Sequence, residues 1–580
     1  MDNQEFEALN IEEQIRIFSV SPITEKGDLI LRSQEPDKLT RSLASEELYL
    51  ILKEMDQDER AELIKFATLD QLFFITDIEC WKKDRIDGAA FVRWLETLQL
   101  SDERRLYSWL MEMDYETVVA GLQKFVTILK PEWEYAADDL LGDSPYFTID
   151  MLYYIMVEEE NLDTVRRAFE LLFENHRGRY TAILEGILSE GQDSLEEEAY
   201  RRREIRLSDR GFPDYETSMR AYVPLDKKGF ESFEIKKKNY FVKPAGENAS
   251  QTPNYLVLWG LTPLFLDKVL HILGEKDIEA QDGVYEELAW LSNKLVVCHG
   301  MDFTSEGKVR ANVERARSFL SMGLEILSDA DVDEAVEILR TRWIETVFRF
   351  AVGRLYKLRD DAHSIVRNNW GGARDNFLEF MDPPFEFIVR GVLERIPLAY
   401  DFTVTENVYY HREFQSREDL RRAELALEQI SETHRFLNEK TPDSFRKTQK
   451  ALSLGDSACT FTPVLGTVYA SFVLGGVLDS SPLSISEIRN FLKKGFENRA
   501  GVLFLREDIK EDFWARFFSA ENRTLVTPVW GLVFQRFQEQ MSRMDPEAEI
   551  ESYLLTCLLV KPAKAKAAKK SAEKKPQKKK

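Results

Sequence analysis

The sequence predicts an all-α, strongly α-dominated fold, and three observations carry that prediction. Glycine and proline number only 27 and 19 among 580 residues, too few to punctuate a chain of short strands and turns. Leu, Glu, Arg, Ala and Lys, which form helices at low conformational cost, crowd the sequence. Apolar residues recur at intervals of three and four, the spacing that gathers them on one helical face. A hydrophobic fraction of 44%, with 37 Phe, 20 Tyr and 10 Trp, supplies the surface for a mostly globular chain. At about 150 residues per folding unit, that length implies three or four blocks.

Residues 1–130 read as an α-superhelical repeat domain of short helices in series. Leu48, Leu52 and Met55 share one face; Leu63, Ile64 and Ala67 form a second; Leu72, Ile75 and Ile78 form a third. Asp56, Thr68, Asp102 and Asp114 stand where successive helices should begin, because a side-chain oxygen there accepts from the free N–H groups of a first turn. The stretch MDQDERAELIKFATLDQLFFITDI, Met55 to Ile78, resembles the acidic helical repeats in the cytosolic domain of bacterial magnesium transporters. More loosely, it is similar to the middle repeats of the flagellar motor-switch protein. The resemblance implies a superhelical shape and no transport, since the transporter's nucleotide-type domains and channel helices have no counterpart in this sequence.

Residues 131–226 form a second helical block. It contains EEEAYRRREIRLSDRGFPDYETSMRAYVPLD, Glu196 to Asp226. With EELYLILKEM and CWKKDRID upstream, this phrase resembles a long, acidic, uncharacterised bacterial family of the delta-proteobacterial type, a domain of unknown function. That resemblance implies no activity.

Residues 227–253 lose helical period and gain Lys, Gly, Pro and Asn, as a linker does. A third helical block, 254–400, is expected to hold one long amphipathic helix over Asp331–Ile365, on the spacing of Val336, Leu339, Trp343, Val347, Phe350, Leu355 and Leu358. The last block, 401–560, is helical apart from YDFTVTENVYY, Tyr400 to Tyr410, whose alternation predicts a short strand. SACTFTPVLGTVYASFVLGGVL, Ser457 to Leu478, is uncharged and at 22 residues could span a bilayer. Its proline, three glycines and acidic flanks Asp456 and Asp479 predict instead a short buried helix with Thr462 as N-cap and Pro463 at the first position. No transmembrane segment is expected.

Charge is divided unevenly. Residues 561–580 hold ten Lys and one Glu, a net of +9, which leaves −33 on the other 560 residues. Such a segment has too little apolar surface to fold and is expected to be disordered. Its lysines, among them Lys569, Lys570, Lys574, Lys575, Lys578, Lys579 and Lys580, suit the phosphates of nucleic acid or an anionic membrane surface. In composition they resemble the tails of linker histones. The same lysines suit the protein's own acidic body, or plain solvation of the chain end.

Recognised chemistry is missing from the sequence. There is no GxxxxGK[ST], no GxGxxG after a strand, no GxSxG and no HExxH. Cys80, Cys298, Cys459 and Cys557 lie far apart, so no metal or cofactor is expected. The thiols read as free in a reducing cytoplasm, and no secretory signal is expected from the acidic opening MDNQEFEALN. Cys298 and His299 are adjacent, and neighbours on a regular element diverge, so a nucleophile site there would need a distant partner.

The phrase RLSDRGFPDYE gathers Arg206, Asp209, Arg210 and Asp214 around a turn. As a polar site, its guanidinium groups would face an anion or a partner carboxylate. As a helix stop, Arg–Asp pairs would tie the end down, with Gly211 at positive φ and Pro213 barring continuation. Together the sequence suggests a cytoplasmic, non-enzymatic scaffold presenting concave repeat surfaces to protein partners. The alternative is an accessory protein that reaches nucleic acid or an anionic surface through its lysines. A site assembled from dispersed residues such as Arg206, Asp209 and His299 is the third reading.

Overall fold

The computed structural model describes residues 14, 17, 18, 21–131, 145–233, 263–301, 306–369, 377, 378, 380–401, 410–453, 460–548, 550 and 555–561. Among the described residues are 25 α-helices and nine strands of at most four residues each, so the fold is all-α with small strand pairs. The chain divides into two compact units, Met1–Gly353 and Arg354–Lys580.

The first unit opens with α1 (Ile23–Arg32), α2 (Pro36–Ser42), α3 (Ser45–Glu54), α4 (Gln57–Ile64) and α5 (Leu69–Glu79). An antiparallel hairpin, β1 (Trp81–Lys82) and β2 (Arg85–Ile86), leads to α6 (Gly88–Ser101), α7 (Glu103–Glu112) and α8 (Tyr115–Leu122). The four expected helix starts are all present: Asp56, Thr68, Asp102 and Asp114 each accept a backbone N–H of the first turn. Thr68 and Gln71 form a reciprocal capping box. The buried Gln71 amide also donates to the carbonyls of Thr40 at 2.8 Å and Leu43 at 2.9 Å, which ties the start of α5 to the end of α2. Trp109, fully buried, donates its indole N–H to the Thr76 hydroxyl at 3.0 Å and locks α7 against α5.

A three-stranded antiparallel sheet follows, in the order β3 (Thr127–Leu129), β5 (Tyr154–Met156), β4 (Tyr146–Phe147). Then come α9 (Leu162–Asn175), α10 (Arg177–Ser189), α11 (Gln192–Asp209), α12 (Tyr215–Met219) and α13 (Lys227–Ser232). Of the expected linker at 227–253, the part from 234 onward lies outside the described residues. The unit continues through α14 (Phe265–Lys276), α15 (Ile278–Cys298), α16 (Glu306–Leu327) and α17 (Val332–Thr341) to residue Gly353 of α18 (Ile344–Ser364). One continuous hydrophobic cluster runs from Phe18 to Val313.

The single helix expected over Asp331–Ile365 is two helices, α17 and α18, broken at Arg342 and Trp343. The reason is tertiary. The first free N–H of α18, that of Ile344, donates to the Glu287 carboxylate of α15 at 2.9 Å. Arg342 adopts extended backbone and its guanidinium reaches the Phe233 carbonyl. A helix start satisfied by a side chain from another element leaves no local signature.

The second unit takes in the rest of α18, then α19 (Phe385–Val392), the pair β6 (Ala399–Tyr400) and β7 (His411–Arg412), α20 (Arg417–Lys440), α21 (Pro442–Ser453), α22 (Phe461–Gly475) and α23 (Ile485–Gly495). A hairpin of β8 (Phe496–Arg499) and β9 (Val502–Leu505) precedes α24 (Glu507–Phe517) and α25 (Ala520–Met541). Most of the strand expected at Tyr400–Tyr410, residues 402–409, lies outside the described residues.

The uncharged stretch forms α22, 15 residues long with Val464, Leu465, Val468 and Tyr469 fully buried. Its N-cap is Thr460, two residues before the expected Thr462, and Pro463 sits inside the first turn. The Asp382 carboxylate accepts from the Thr462 N–H at 2.6 Å, and Pro463 has no N–H to satisfy, so the earlier start leaves neither position wanting. At 1.5 Å per residue the helix covers roughly 22 Å, short of the roughly 30 Å hydrocarbon layer. No described helix is long and apolar enough to cross a membrane. The Tyr469 ring packs 5.2 Å from Phe513 and 5.1 Å from Phe534, at the centre of an aromatic core.

Candidate functional site

The first unit contains a cavity of about 700 Å³ where the β1–β2 hairpin, α11, the turn after α11 and the end of α15 converge. Tyr200, Arg203, Glu204 and Leu207 line it from α11; their i, i+3, i+4, i+7 spacing puts them on one helical face. The hairpin contributes Trp81, and its turn Lys83 and Asp84, with Lys83 at φ 60°.

Two helix ends complete the wall by the same device. After α11 the N–H of Phe212 bonds the Leu207 carbonyl at 2.9 Å and that of Gly211 bonds Ser208 at 2.9 Å, with Gly211 at φ 87°. After α15 the N–H of Met301 bonds Val296 at 2.9 Å and that of Gly300 bonds Val297 at 3.0 Å, with Gly300 at φ 85°. These paired bonds around a left-handed glycine are Schellman motifs. Each reverses the chain and delivers the next side chain, Phe212 or Met301, to the cavity.

Arg203 is the central charged group. The residue is buried, at 8% exposed. The guanidinium lies 5.3 Å from the Trp81 ring and 6.0 Å from Tyr200, rings that are themselves 5.9 Å apart. Nε donates to the Asp77 carbonyl at 2.7 Å and Nη2 approaches the Met301 sulfur at 3.8 Å. Among the described residues no carboxylate stands within salt-bridge distance of it. Burial pulls its pKa below the usual guanidinium range, against the field of Asp77. Trp81 is buried, and its indole N–H has no partner among the described residues. Burial, and then a hydrogen bond to Glu204, push the Tyr200 hydroxyl up to about 12.

The four residues of the RLSDRGFPDYE phrase do not converge. Arg206 leaves the cavity face and grips buried Asp77 of α5, with Asp114 at the start of α8 on its other side. Arg210 bonds the Ser45 hydroxyl at 2.5 Å and Asp70, while its guanidinium lies 5.4 Å from the Phe74 ring. Asp209 is exposed. Asp214 accepts from the Thr217 N–H at 2.8 Å as the cap of α12, and alone of the four it also lines the cavity. That backbone bond holds its carboxyl below the ordinary range.

His299 is engaged by Asn312 at 2.6 Å and Arg315 at 3.0 Å, while Cys298 lines the cavity. Cys80 and Cys557 are buried free thiols. No group of three His, Cys, Asp or Glu among the described residues could hold a metal ion. The lysine-rich segment, Lys569 to Lys580, lies outside the described residues. Sequence reasoning missed Trp81, Tyr200 and Arg203. The helical stripe from Tyr200 to Leu207 was the available signal, but it reads equally as an ordinary packed face.

A family model described as "Family of unknown function (DUF6178)" matches residues 3–561. No curated protein and no solved structure matches the chain.

Proposed function

The chain belongs to the DUF6178 family, a family of unknown function, and from that premise we propose that it is a cytoplasmic, non-catalytic binding protein whose helices are a scaffold for one recognition site, the cavity of the first unit. The observation that carries this reading is the cavity itself. About 700 Å³, walled by Trp81, Tyr200 and Phe212 around a buried cation, falls in the size range of sites that enclose small organic molecules. Apolar walls with a few fixed polar groups supply affinity and orientation respectively. The test is a thermal melt of the full chain against the small-molecule fraction of a native-host lysate, for wild type and for Cys298→Trp, which fills the cavity from its wall. A rise in melting temperature in the wild type alone supports the reading. Equal shifts in both proteins, or none in either, overturn it.

A second reading is favoured by the ten lysines of residues 561–580: contact with a protein partner, nucleic acid or an anionic surface through that segment. A pull-down comparing the full chain with a truncation after Val560, with and without nuclease, separates these. Partners lost with the segment or with nuclease support the lysines; partners kept by both proteins place the contact on the helical body.

A further inference from the structure

The cavity of the first unit has one feature that a plain apolar pocket does not need, a buried cation on its wall with no carboxylate among the described residues in salt-bridge contact. A guanidinium offers five N–H donors. Arg203 has the Asp77 carbonyl and a weakly accepting methionine sulfur as hydrogen-bond partners. The nearest carboxylate in its field, Asp77, is spent on both Nε and Nη2 of Arg206. The Trp81 and Tyr200 rings accommodate the charge from their faces, but they satisfy none of the in-plane donors. A buried guanidinium with in-plane donors left over, on the wall of a cavity with room for a molecule, calls for an acceptor.

We infer that the cavity binds an organic oxyanion, a carboxylate or a phosphate monoester on a flat aromatic or hydrocarbon body, with Arg203 taking the charged oxygens and the body lying along Trp81, Phe212 and Tyr200.

Three carboxylates also line the cavity, and they do not reverse this assignment. Asp84 and Asp214 are exposed, where water and salt screen them. Glu204 is half-buried and acts on the Tyr200 hydroxyl, whose pKa it raises. Arg203 lies in the dry wall, where a charge interacts several times more strongly than at a wet rim. The two exposed acids disfavour a bulky polyanion at the solvent side, so the charge enters as a single small group.

The inference rests on the cavity reading, and its test keeps the two apart by using four probes on one rigid body: 2-naphthoate, 2-naphthyl phosphate, 2-naphthol and 2-naphthylmethylamine. Binding to the full chain is followed by calorimetry. Either anion binding about tenfold or more tightly than the alcohol and the amine supports the oxyanion assignment, and the tighter of the two names its source. The alcohol or amine binding as well as both anions overturns the anion assignment and leaves the cavity reading standing. No binding by any of the four overturns both. Arg203→Gln is expected to remove the anion's advantage, about tenfold. Because that residue is buried, Arg203→Lys is measured alongside it. It keeps the charge and gives up the planar fork, and it is expected to weaken the anion severalfold while leaving the alcohol within about twofold. Equal anion binding in wild type and both folded variants also overturns the assignment.

Discussion

Arg206 holds both carboxylate oxygens of Asp77, with Nε at 2.9 Å and Nη2 at 2.7 Å, and Asp77 is 1% exposed. The pair joins α11 to α5, and Asp114 on the other Nη nitrogen adds the start of α8. Taking a carboxylate this far from water is costly, and burial pushes the Asp77 carboxyl up while Arg206 pulls it back. The charge is tolerated because every oxygen has a donor. Arg203, one turn earlier on the same helix, sits in a contrasting position: it lines the cavity, and its hydrogen-bond partners are a backbone carbonyl and a sulfur.

Removing one member of the Asp77–Arg206 pair strands the other. Asp77→Ala is expected to destabilise the first unit by about 3 kcal/mol, the low end for a broken buried pair because Arg206 keeps Asp114 and some solvent contact. The double variant Asp77→Leu, Arg206→Met is expected to lose less than Asp77→Ala alone, since no unpaired charge is left in the buried site and the partly exposed Asp114 keeps the Thr117 N–H. Urea unfolding of the three proteins measures both differences; a double variant less stable than the single one would contradict the account.

Gln71 serves three backbone groups at once, the Thr68 N–H and the carbonyls of Thr40 and Leu43. Gln71→Leu fills the same space but leaves all three without their partner, at a cost of about 2–4 kcal/mol. Thr68→Ala removes one capping acceptor and is expected to cost about 1 kcal/mol. Thermal unfolding should rank the two in that order.

Gly466 on α22 faces the Cys557 carbonyl so closely that a Cβ there would overlap the oxygen. The contact is with backbone, which cannot swing aside. Gly466→Ala is expected to destabilise the second unit by about 1–3 kcal/mol, despite the better helix propensity of alanine. A neutral or stabilising result in chemical denaturation would show that the 555–561 segment yields.

Asp419 in the second unit accepts both Nη groups of Arg412, at 2.8 and 2.9 Å, and the Gln415 N–H at 3.0 Å. Burial alone would push its carboxyl up, yet Arg412 and the backbone donor together hold it below the ordinary value. Its stabilisation is therefore complete above the unfolded carboxyl's pKa of about 3.9 and is lost as pH falls through the lower folded value. The stability difference between wild type and Asp419→Asn should be open at about pH 7 and should close steadily below about pH 4. A difference independent of pH would mean that the carboxylate charge contributes nothing.

The all-α class and the helix starts at Asp56, Thr68, Asp102 and Asp114 were determined by the sequence itself. The reason is that a cap and the N–H it accepts lie within one turn, so both partners are visible in four consecutive residues. The break between α17 and α18 is not legible, because the acceptor for the Ile344 N–H is Glu287, 57 positions away. The start of α22 was misplaced for the same reason, since Asp382 satisfies Thr462 from 80 positions away. The cavity was decided by tertiary structure alone. Trp81 of β1, Arg203 of α11 and Met301 in the turn after α15 are far apart in the chain, and only packing closes them around one space. Arg203 and Arg206, three residues apart on one helix, have the same local chemistry. Which of them meets a carboxylate and which faces a cavity depends on what each side of α11 packs against, and helical spacing carries no record of that.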